Sequence, residues 1–242
     1  MRVRPGKRAV IFDVGNTLLH VDYAHVAGVL RARGHAVEPG AIRVAEYASK
    51  AALDRALAPD AVPESSVQAL LWHTPDGRPS YFATLIAHLG IAESEVLPAL
   101  VALEADNRVR SLWRVVEPGT ADVLAELRRR GLVLGVISNS DGRIEADLRA
   151  SGLGAHFAFV LDSSVVGVEK PDPAIFALAL SRLGMPAEDA VYVGDVYAID
   201  VLGARRAGIE AVLMDPLGRY DAPADCPRIR TLAKLLPLLG AP

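Results

Sequence analysis

The sequence predicts an α/β fold in which a parallel sheet carries helices on both faces. From about residue 118 onwards, short apolar runs alternate with helix-like segments, as in strands joined by crossover helices. The chain also has an apolar run near its start, Ala9 to Phe12, and continuous runs of this kind suit strands buried on both faces. Residues 21–107 have a helical pattern throughout, which indicates a block of helices inserted after the first strand.

The core elements follow in order from the positions of glycine, proline and polar residues. The first strand is residues 9–12. Thr120 is expected to cap a helix that runs through Arg130 and is closed by Gly131, and Pro173 is expected to open a helix as its first residue. The other predicted strands are 132–137, 157–161, 190–193 and 211–214, and the other predicted helices are 142–150, 200–207 and about 232–239.

The inserted block shows apolar residues at helical spacing, as in Leu85, Ile86 and Leu89. Its helices end at or before helix-breaking residues, including Gly34, Pro59 and Gly90. The predicted helices are 23–33, 41–57, 65–72, 81–89 and 94–108. We therefore predict two domains, an α/β core of residues 1–20 and 108–242 and a helical domain of residues 21–107.

Composition and charge exclude several classes of function. The 242 residues carry a net charge of −3, which provides no electrostatic footprint for nucleic acid. Cys226 is the only cysteine, so neither a disulfide framework within the chain nor a cysteine metal site is expected. No apolar run approaches the roughly 18 residues that span a bilayer, and the N-terminal residues lack the apolar stretch of a secretion signal. We expect a cytoplasmic protein that binds neither nucleic acid nor membrane.

Polar residues follow the predicted strands at the points where the strands end. Because the carboxyl ends of parallel strands meet at one edge of a sheet, these side chains are expected to converge. Carboxylates with a hydroxyl and an ammonium suit Mg²⁺ and an anionic oxygen group, since Mg²⁺ uses a few carboxylates beside phosphate and lysine binds phosphate as a point charge. The residues are Asp13, Ser138 and Asn139, Lys170, and Asp195 with Asp200.

In order and spacing, these clusters resemble the four motifs of the haloacid dehalogenase (HAD) superfamily. The matching stretches are FDVGNTL, VISNS, VEKPDPAIF and VYVGDVYAIDVLGARRAG. The helical block is similar to the family's C1 cap, which is inserted directly after the first motif. The resemblance implies a Rossmann-like core, an α-helical cap and Mg²⁺-dependent hydrolysis of a small phosphorylated metabolite.

The resemblance also implies a role for each matched residue. Asp13 would be the nucleophile that forms an aspartyl-phosphate. Lys170 would neutralise Asp13 and the phosphate, and Ser138 with the neighbouring backbone N–H at Asn139 would hold the phosphoryl oxygens. The implied Mg²⁺ ligands are Asp13, the backbone carbonyl of Gly15, Asp195 and, directly or through water, Asp200.

The first motif departs from the family pattern at Gly15. Family phosphatases usually have an aspartate there that protonates the leaving oxygen, a contribution of about 10²–10⁴-fold. We therefore expect a weak or substrate-restricted phosphatase in which water or a nearby side chain takes over this role. The nearest candidate side chains are His20, Asp22 and His25.

Alternatives from other classes stay open. One is a non-phosphatase enzyme of the family, either a 2-haloacid dehalogenase, which needs no Mg²⁺, or a phosphonoacetaldehyde hydrolase, for which Lys50 is the only cap lysine that could form a Schiff base. Another is a binding or regulatory protein that keeps the metal and phosphate pockets with little turnover. The cap would set substrate choice, and its polar or aromatic candidates are Tyr47, Trp72, His73, Arg78 and Tyr81.

Overall fold

The computed structural model describes residues 3–61, 73, 80–221, 223 and 225–240. The chain divides into two compact units. The first comprises Met1–His20, Arg114–Gly218 and Ala224–Pro242, and the second comprises Val21–Trp113 and Arg219–Pro223. Nothing in the sequence predicts that residues 219–223 group with the second unit.

A six-stranded sheet forms the centre of the first unit. Over the described part of the chain the strands are β1 Ala9–Phe12, β2 His20–Val21, β3 Trp113–Val115, β4 Val133–Ser138, β5 Phe159–Asp162, β6 Ala190–Gly194, β7 Glu210–Met214 and β8 Arg228–Ile229. The sheet has the order β5–β4–β1–β6–β7–β8 and is parallel at every pairing, whereas β2 pairs with β3. The predicted fold class, an α/β Rossmann-like core, is confirmed.

The register of the central strands brings their carboxyl ends to one level. Phe12 of β1 lies opposite Val136 of β4 and Val193 of β6. Every residue of β1 and β6 is buried, as expected for strands in a sheet that is covered on both faces. The residues that follow these strands therefore reach the same edge of the sheet, where the polar clusters were predicted to meet.

The helices of the described residues begin and end largely where the sequence predicts. They are α1 Tyr23–Ala32, α2 Pro39–Leu57, α3 Tyr81–Ala87, α4 Glu93–Val109, α5 Thr120–Arg129, α6 Ile144–Ala150, α7 Ser163–Val166, α8 Pro173–Leu183, α9 Leu202–Arg206 and α10 Leu235–Leu238.

The N-terminal residues of α8 and α5 show how the local sequence determines where a helix begins. At α8, Pro173 is the first helical residue and the side chain of Asp172 accepts the N–H of Ala174 at 2.8 Å. The predicted cap of α5 is wrong, because Gly119 is the N-cap and Thr120 is already helical. Gly119 has a φ of 83°, so the chain enters α5 through the left-handed conformation that favours glycine.

The second unit consists, in its described residues, of helices α1–α4 around an apolar core. Each helix contributes buried residues to this core, for example Leu30, Ile42, Leu85 and Leu100. The helix predicted over residues 65–72 lies outside the described residues. In the described parts of the chain, no helix is both long and apolar enough to cross a lipid bilayer.

The shortest elements are not predicted by the sequence pattern. β2, β3 and β8 have two or three residues and α7 has four, which is too few for a hydrophobic period to be detected. The helix predicted over residues 200–207 begins differently, because a π-helical turn at Tyr197–Val201 precedes α9. Such turns are often found at functional sites, and this one contains Asp200.

Candidate active site

The carboxyl edge of the sheet gathers three aspartates and a lysine in one buried cluster. Asp13 follows β1, Asp195 follows β6, Asp200 lies in the π-helical turn, and Lys170 precedes α8. Their exposed fractions are 6%, 5%, 1% and 3%, respectively. One carboxylate oxygen from each of the three aspartates lies within 4.8 Å of the others. The structure thus brings together residues that are far apart in the sequence.

Lys170 lies at the centre of the cluster and is held at both ends. Its Nζ donates to Oδ1 of Asp13 at 2.6 Å, to Oδ1 of Asp200 at 2.8 Å and to the Tyr192 hydroxyl at 2.9 Å. Its backbone N–H donates to Oδ1 of Asn139, and its carbonyl accepts from Nδ2 of Asn139, both at 2.8 Å. The side chain of Asn139 therefore binds the Lys170 backbone, which fixes the start of the lysine side chain.

Asp200 is fully engaged by the protein. Its Oδ1 accepts from Lys170 and, at 3.1 Å, from Tyr192, and its Oδ2 accepts from the backbone N–H groups of Asp195 at 3.0 Å and Val196 at 2.9 Å. These four bonds match the roughly four lone-pair sites of a carboxylate. Asp200 therefore ties the loop after β6 to the lysine.

Gly194 allows Asp200 to approach the end of β6. A Cβ at residue 194 would lie 2.6 Å from Oδ2 of Asp200, far inside van der Waals contact. Any side chain at this position would push the carboxylate away from Lys170 and from the backbone donors. The close approach of Asp200 thus explains why glycine occupies position 194 in the fourth motif.

Burial and the neighbouring charges perturb the ionisable groups of the cluster. Burial raises the pKa of Asp13 to about 7, Lys170 opposes the rise, and the charges of Asp200 and Asp195 add to it. Burial disfavours the charged form of Lys170, but the carboxylates of Asp13 and Asp200 outweigh it and hold the pKa of the lysine above its usual value. The lysine therefore carries its charge in the buried cluster.

Tyr192, which lies in β6 and is fully buried, was not predicted as a site residue. Burial, with the nearby carboxylates of Asp200 and Asp13, holds the pKa of Tyr192 well above its usual value, so its hydroxyl keeps its proton. A tyrosine within an otherwise apolar central strand was the available signal, because a buried hydroxyl needs a hydrogen-bonding partner.

The loop after β4 is held by β5 and the start of α7. Ser138 ends β4 and lies opposite Asp162 of β5. Oδ2 of Asp162 accepts the N–H of Gly142 at 2.9 Å, and the Ser163 hydroxyl accepts the N–H of Ser140 at 3.1 Å. These bonds order the backbone that follows Ser138. The sequence did not single out Asp162 or Ser163.

Gly15 lies in a tight turn directly after Asp13. The N–H of Asn16 donates to the carbonyl of Leu19 at 2.7 Å, and Gly15 itself forms a bridge with Leu19. Asn16 has a φ of 53°, in the left-handed region that asparagine tolerates better than most residues. Asparagine can therefore occupy this left-handed position in the turn.

Two of the three suggested replacement acids have clear structural partners in the second unit. Oδ1 of Asp22 accepts the N–H of His25 at 2.9 Å and so caps α1. The His25 ring pairs with the carboxylate of Asp106 on α4. The third, His20, belongs to the first unit and is buried in β2.

Lys50 is buried within the second unit. Its ammonium lies 5.1 Å from the ring centre of Tyr47 and 5.8 Å from that of Tyr220, and the Tyr220 hydroxyl donates to Oδ2 of Asp54 at 2.9 Å. These contacts explain why residues 219–223 group with the helices.

Of the other cap candidates, Tyr81 donates from its hydroxyl to Glu46 at 2.9 Å. His73 is exposed. Trp72 and Arg78 lie outside the described residues.

The buried lysine and aspartates lie at the carboxyl edge of a parallel sheet, where α/β proteins bind their ligands, and helices are inserted after the first strand. The sequence profile described as haloacid dehalogenase-like hydrolase matches residues 7–208. The chain belongs to the haloacid dehalogenase-like hydrolase family, as its four motifs predicted.

Individual relatives support this assignment. The chain is 40% identical over 157 residues to human haloacid dehalogenase-like hydrolase domain-containing protein 3, a match covering 62% of each chain and thus less than two thirds of that relative's length. It is 30% identical over 248 residues to the glyceraldehyde 3-phosphate phosphatase of Methanopyrus kandleri, covering 94% of this chain and 99% of the relative.

Solved structures share the fold. The HAD-hydrolase YfnB from Bacillus subtilis, whose crystal structure is bound to magnesium, is similar with a TM-score of 0.64 at 19% identity over 100% of both chains. The L-2-haloacid dehalogenase RSc1362 has a TM-score of 0.64 at 23% identity, covering 98% of this chain and 100% of its own. At these identities the similarity concerns the fold alone.

Proposed function

We propose that this hydrolase is a Mg²⁺-dependent phosphatase that acts on a small phosphate monoester through an aspartyl-phosphate on Asp13. The observation that carries the proposal is the 2.6 Å contact between Lys170 and Asp13 within a cluster of three buried aspartates. Similarity along nearly the whole chain to a glyceraldehyde 3-phosphate phosphatase supports a small phosphorylated metabolite as substrate.

The donor set of the cluster fits Mg²⁺. Three buried carboxylates face one ammonium, and a divalent cation would offset the remaining negative charge. Asp13, Asp195 and the backbone carbonyl of Gly15 would hold the ion directly. Asp200 already accepts four hydrogen bonds, so we assign it a role through bound water. When bound, the ion would neutralise and polarise the phosphoryl group.

The proposed first step is attack by a carboxylate oxygen of Asp13 on the phosphorus. The bond from phosphorus to the leaving oxygen breaks, the leaving group departs with the electron pair, and the phosphoryl group stays on Asp13. Water then attacks this phosphorus, which releases inorganic phosphate and restores the carboxylate. Lys170 offsets the charge in both steps, and Ser138 and the N–H of Asn139 hold the phosphoryl oxygens.

The acidity of the leaving group determines which phosphate esters are good substrates. Gly15 has no carboxyl group to protonate that oxygen, so esters with acidic leaving groups, such as aryl phosphates, are favoured over alkyl phosphates. The helical second unit would take the role of the family's cap, which selects the substrate.

The test is hydrolysis of p-nitrophenyl phosphate with and without Mg²⁺. We expect turnover only with Mg²⁺, its loss in Asp13→Asn, and its retention in Asp215→Asn. Asp215 is a matched control because it is also buried and follows β7 at the end of a core strand, but it is not part of the cluster. Turnover that survives Asp13→Asn would exclude Asp13 as the nucleophile.

The same assay separates the alternatives. Halide released from 2-haloacids without metal would identify a dehalogenase. Binding of Mg²⁺ and a phosphate mimic without product from any substrate in a panel would identify a binding protein.

A further inference from the structure

The hydroxyl of Tyr192 is hydrogen-bonded to two charged groups of the cluster, Lys170 and Asp200. It accepts a hydrogen bond from Nζ of Lys170 at 2.9 Å and donates one to Oδ1 of Asp200 at 3.1 Å. Lys170 also donates directly to the same Oδ1 at 2.8 Å. Lysine, tyrosine and aspartate therefore form a closed hydrogen-bonded triangle, and all three residues are buried.

The triangle determines the direction of the ammonium. A lysine ammonium has three N–H donors, and here their acceptors are Asp13, Asp200 and Tyr192. With three acceptors in fixed places, the group cannot rotate freely or move along the carboxylates. The tyrosine is the only uncharged member of this set, so it restrains the lysine without changing the charge of the cluster.

The tyrosine ring is itself fixed by packing. The ring of Phe176, on α8, meets it edge to face, with centroids 5.1 Å apart and planes at 70°. Gly203 leaves room for Phe176, because a Cβ at residue 203 would lie 2.9 Å from Cε2 of that ring. The hydroxyl is therefore presented to Lys170 by a buried ring that packs against Phe176 of α8.

We propose that Tyr192 is a positioning residue for catalysis, whose hydroxyl holds the ammonium of Lys170 against the attacking carboxylate of Asp13. The inference rests on the proposed phosphatase function. Tyr192 does not touch the phosphoryl group and acts through Lys170. Without the hydroxyl, the ammonium loses one of three restraints, so its charge is less well aligned with the charge that develops in the transition state.

The experiment compares Tyr192→Phe with Tyr197→Phe on p-nitrophenyl phosphate with Mg²⁺. Both changes remove one hydroxyl that donates to a carboxylate in the same unit, and the partner of Tyr197 is Asp225 at 2.8 Å. We expect kcat to fall about 10- to 100-fold in Tyr192→Phe with KM changed little, while Tyr197→Phe keeps both values. Equal kcat values for the two variants would overturn the proposal.

Two further measurements guard against a trivial loss of structure. Phe176→Leu keeps the hydroxyl but loosens the ring, and we expect a smaller fall in kcat in the same direction. Crystal structures of the wild type and Tyr192→Phe are expected to show Nζ of Lys170 displaced, or in several positions, in the variant; an unmoved Nζ overturns the proposal. Because this readout needs no turnover, an inactive wild type would refute the phosphatase function without deciding the position of Lys170.

Discussion

A methyl group added at Gly194 should disturb the site more than the fold. In Gly194→Ala the new Cβ would lie 2.6 Å from Oδ2 of Asp200, so the carboxylate must move. That movement breaks the hydrogen bonds from the Asp195 and Val196 backbone and loosens the contact with Lys170. The damage therefore falls on the groups proposed to hold Mg²⁺ and to neutralise the nucleophile.

The expected size of the effect follows from the contact. Overpacking of a buried position costs about 1–3 kcal/mol of stability. For a chain of this size this corresponds to a fall in Tm of about 2–12 °C. Displacing a group that orients metal ligands typically lowers metal affinity or activity by about 10- to 100-fold. We expect the loss of metal affinity or activity to be measurable at temperatures well below the lowered Tm, where the variant is still folded.

Gly135→Ala is the matched control. Gly135 also lies in a central strand, β4, and a Cβ there would lie 2.8 Å from Cε2 of Phe159, which is an apolar ring outside the acidic cluster. We expect a similar fall in Tm, measured by circular dichroism, but an unchanged Mg²⁺ dependence of p-nitrophenyl phosphate hydrolysis. The steric explanation of Gly194 is refuted if both variants shift the Mg²⁺ dependence equally, or if Gly194→Ala leaves it unchanged.

Three other outcomes are expected. Gly15→Asp restores a proton donor to the leaving oxygen. Phosphate release should therefore rise by up to about 10²-fold for alkyl phosphates and by less for aryl phosphates; equal gains would contradict this. Mg²⁺ affinity, measured calorimetrically, should rise with pH up to about 7 and then level off. At a pH below the raised pKa of Asp13, the ion must displace a proton from this carboxyl group before it can bind. Asp13→Asn should flatten this profile, and an unchanged slope would argue against Asp13 as the titrating ligand. Tyr220→Phe should lower stability to urea by about 1 kcal/mol, because buried Asp54 loses a donor; unchanged unfolding would show that this bond contributes nothing.

Much of the fold was predictable because its signals are local. Continuous apolar runs identified β1, β4, β5, β6 and β7 within a few residues, and glycine or proline marked the ends of most helices. The start of α5 was misplaced because the left-handed conformation of Gly119 depends on how the chain approaches the helix. β2, β3 and β8 were missed because pairing with a distant partner, and not their own composition, makes them strands.

The residues of the candidate site were predictable from the sequence, but the hydrogen bonds among them were not. The rule that strand ends share one sheet edge was enough to expect Asp13, Lys170, Asp195 and Asp200 together, and the structure brings them together. It was not enough to show that the Asn139 side chain would bind the Lys170 backbone. Metal ligation and the catalytic roles stay predictions, as does the cytoplasmic location.

The sequence by itself determined the alternation of strands and helices, the family and the acidic residues, because each depends on a residue and its near neighbours. Tertiary structure decided which groups meet those residues. Tyr192 reaches Lys170 across 22 positions of the chain, and Tyr220 reaches Asp54 across 166. Both are buried hydroxyls whose partners come from other elements, and packing alone selects such partners.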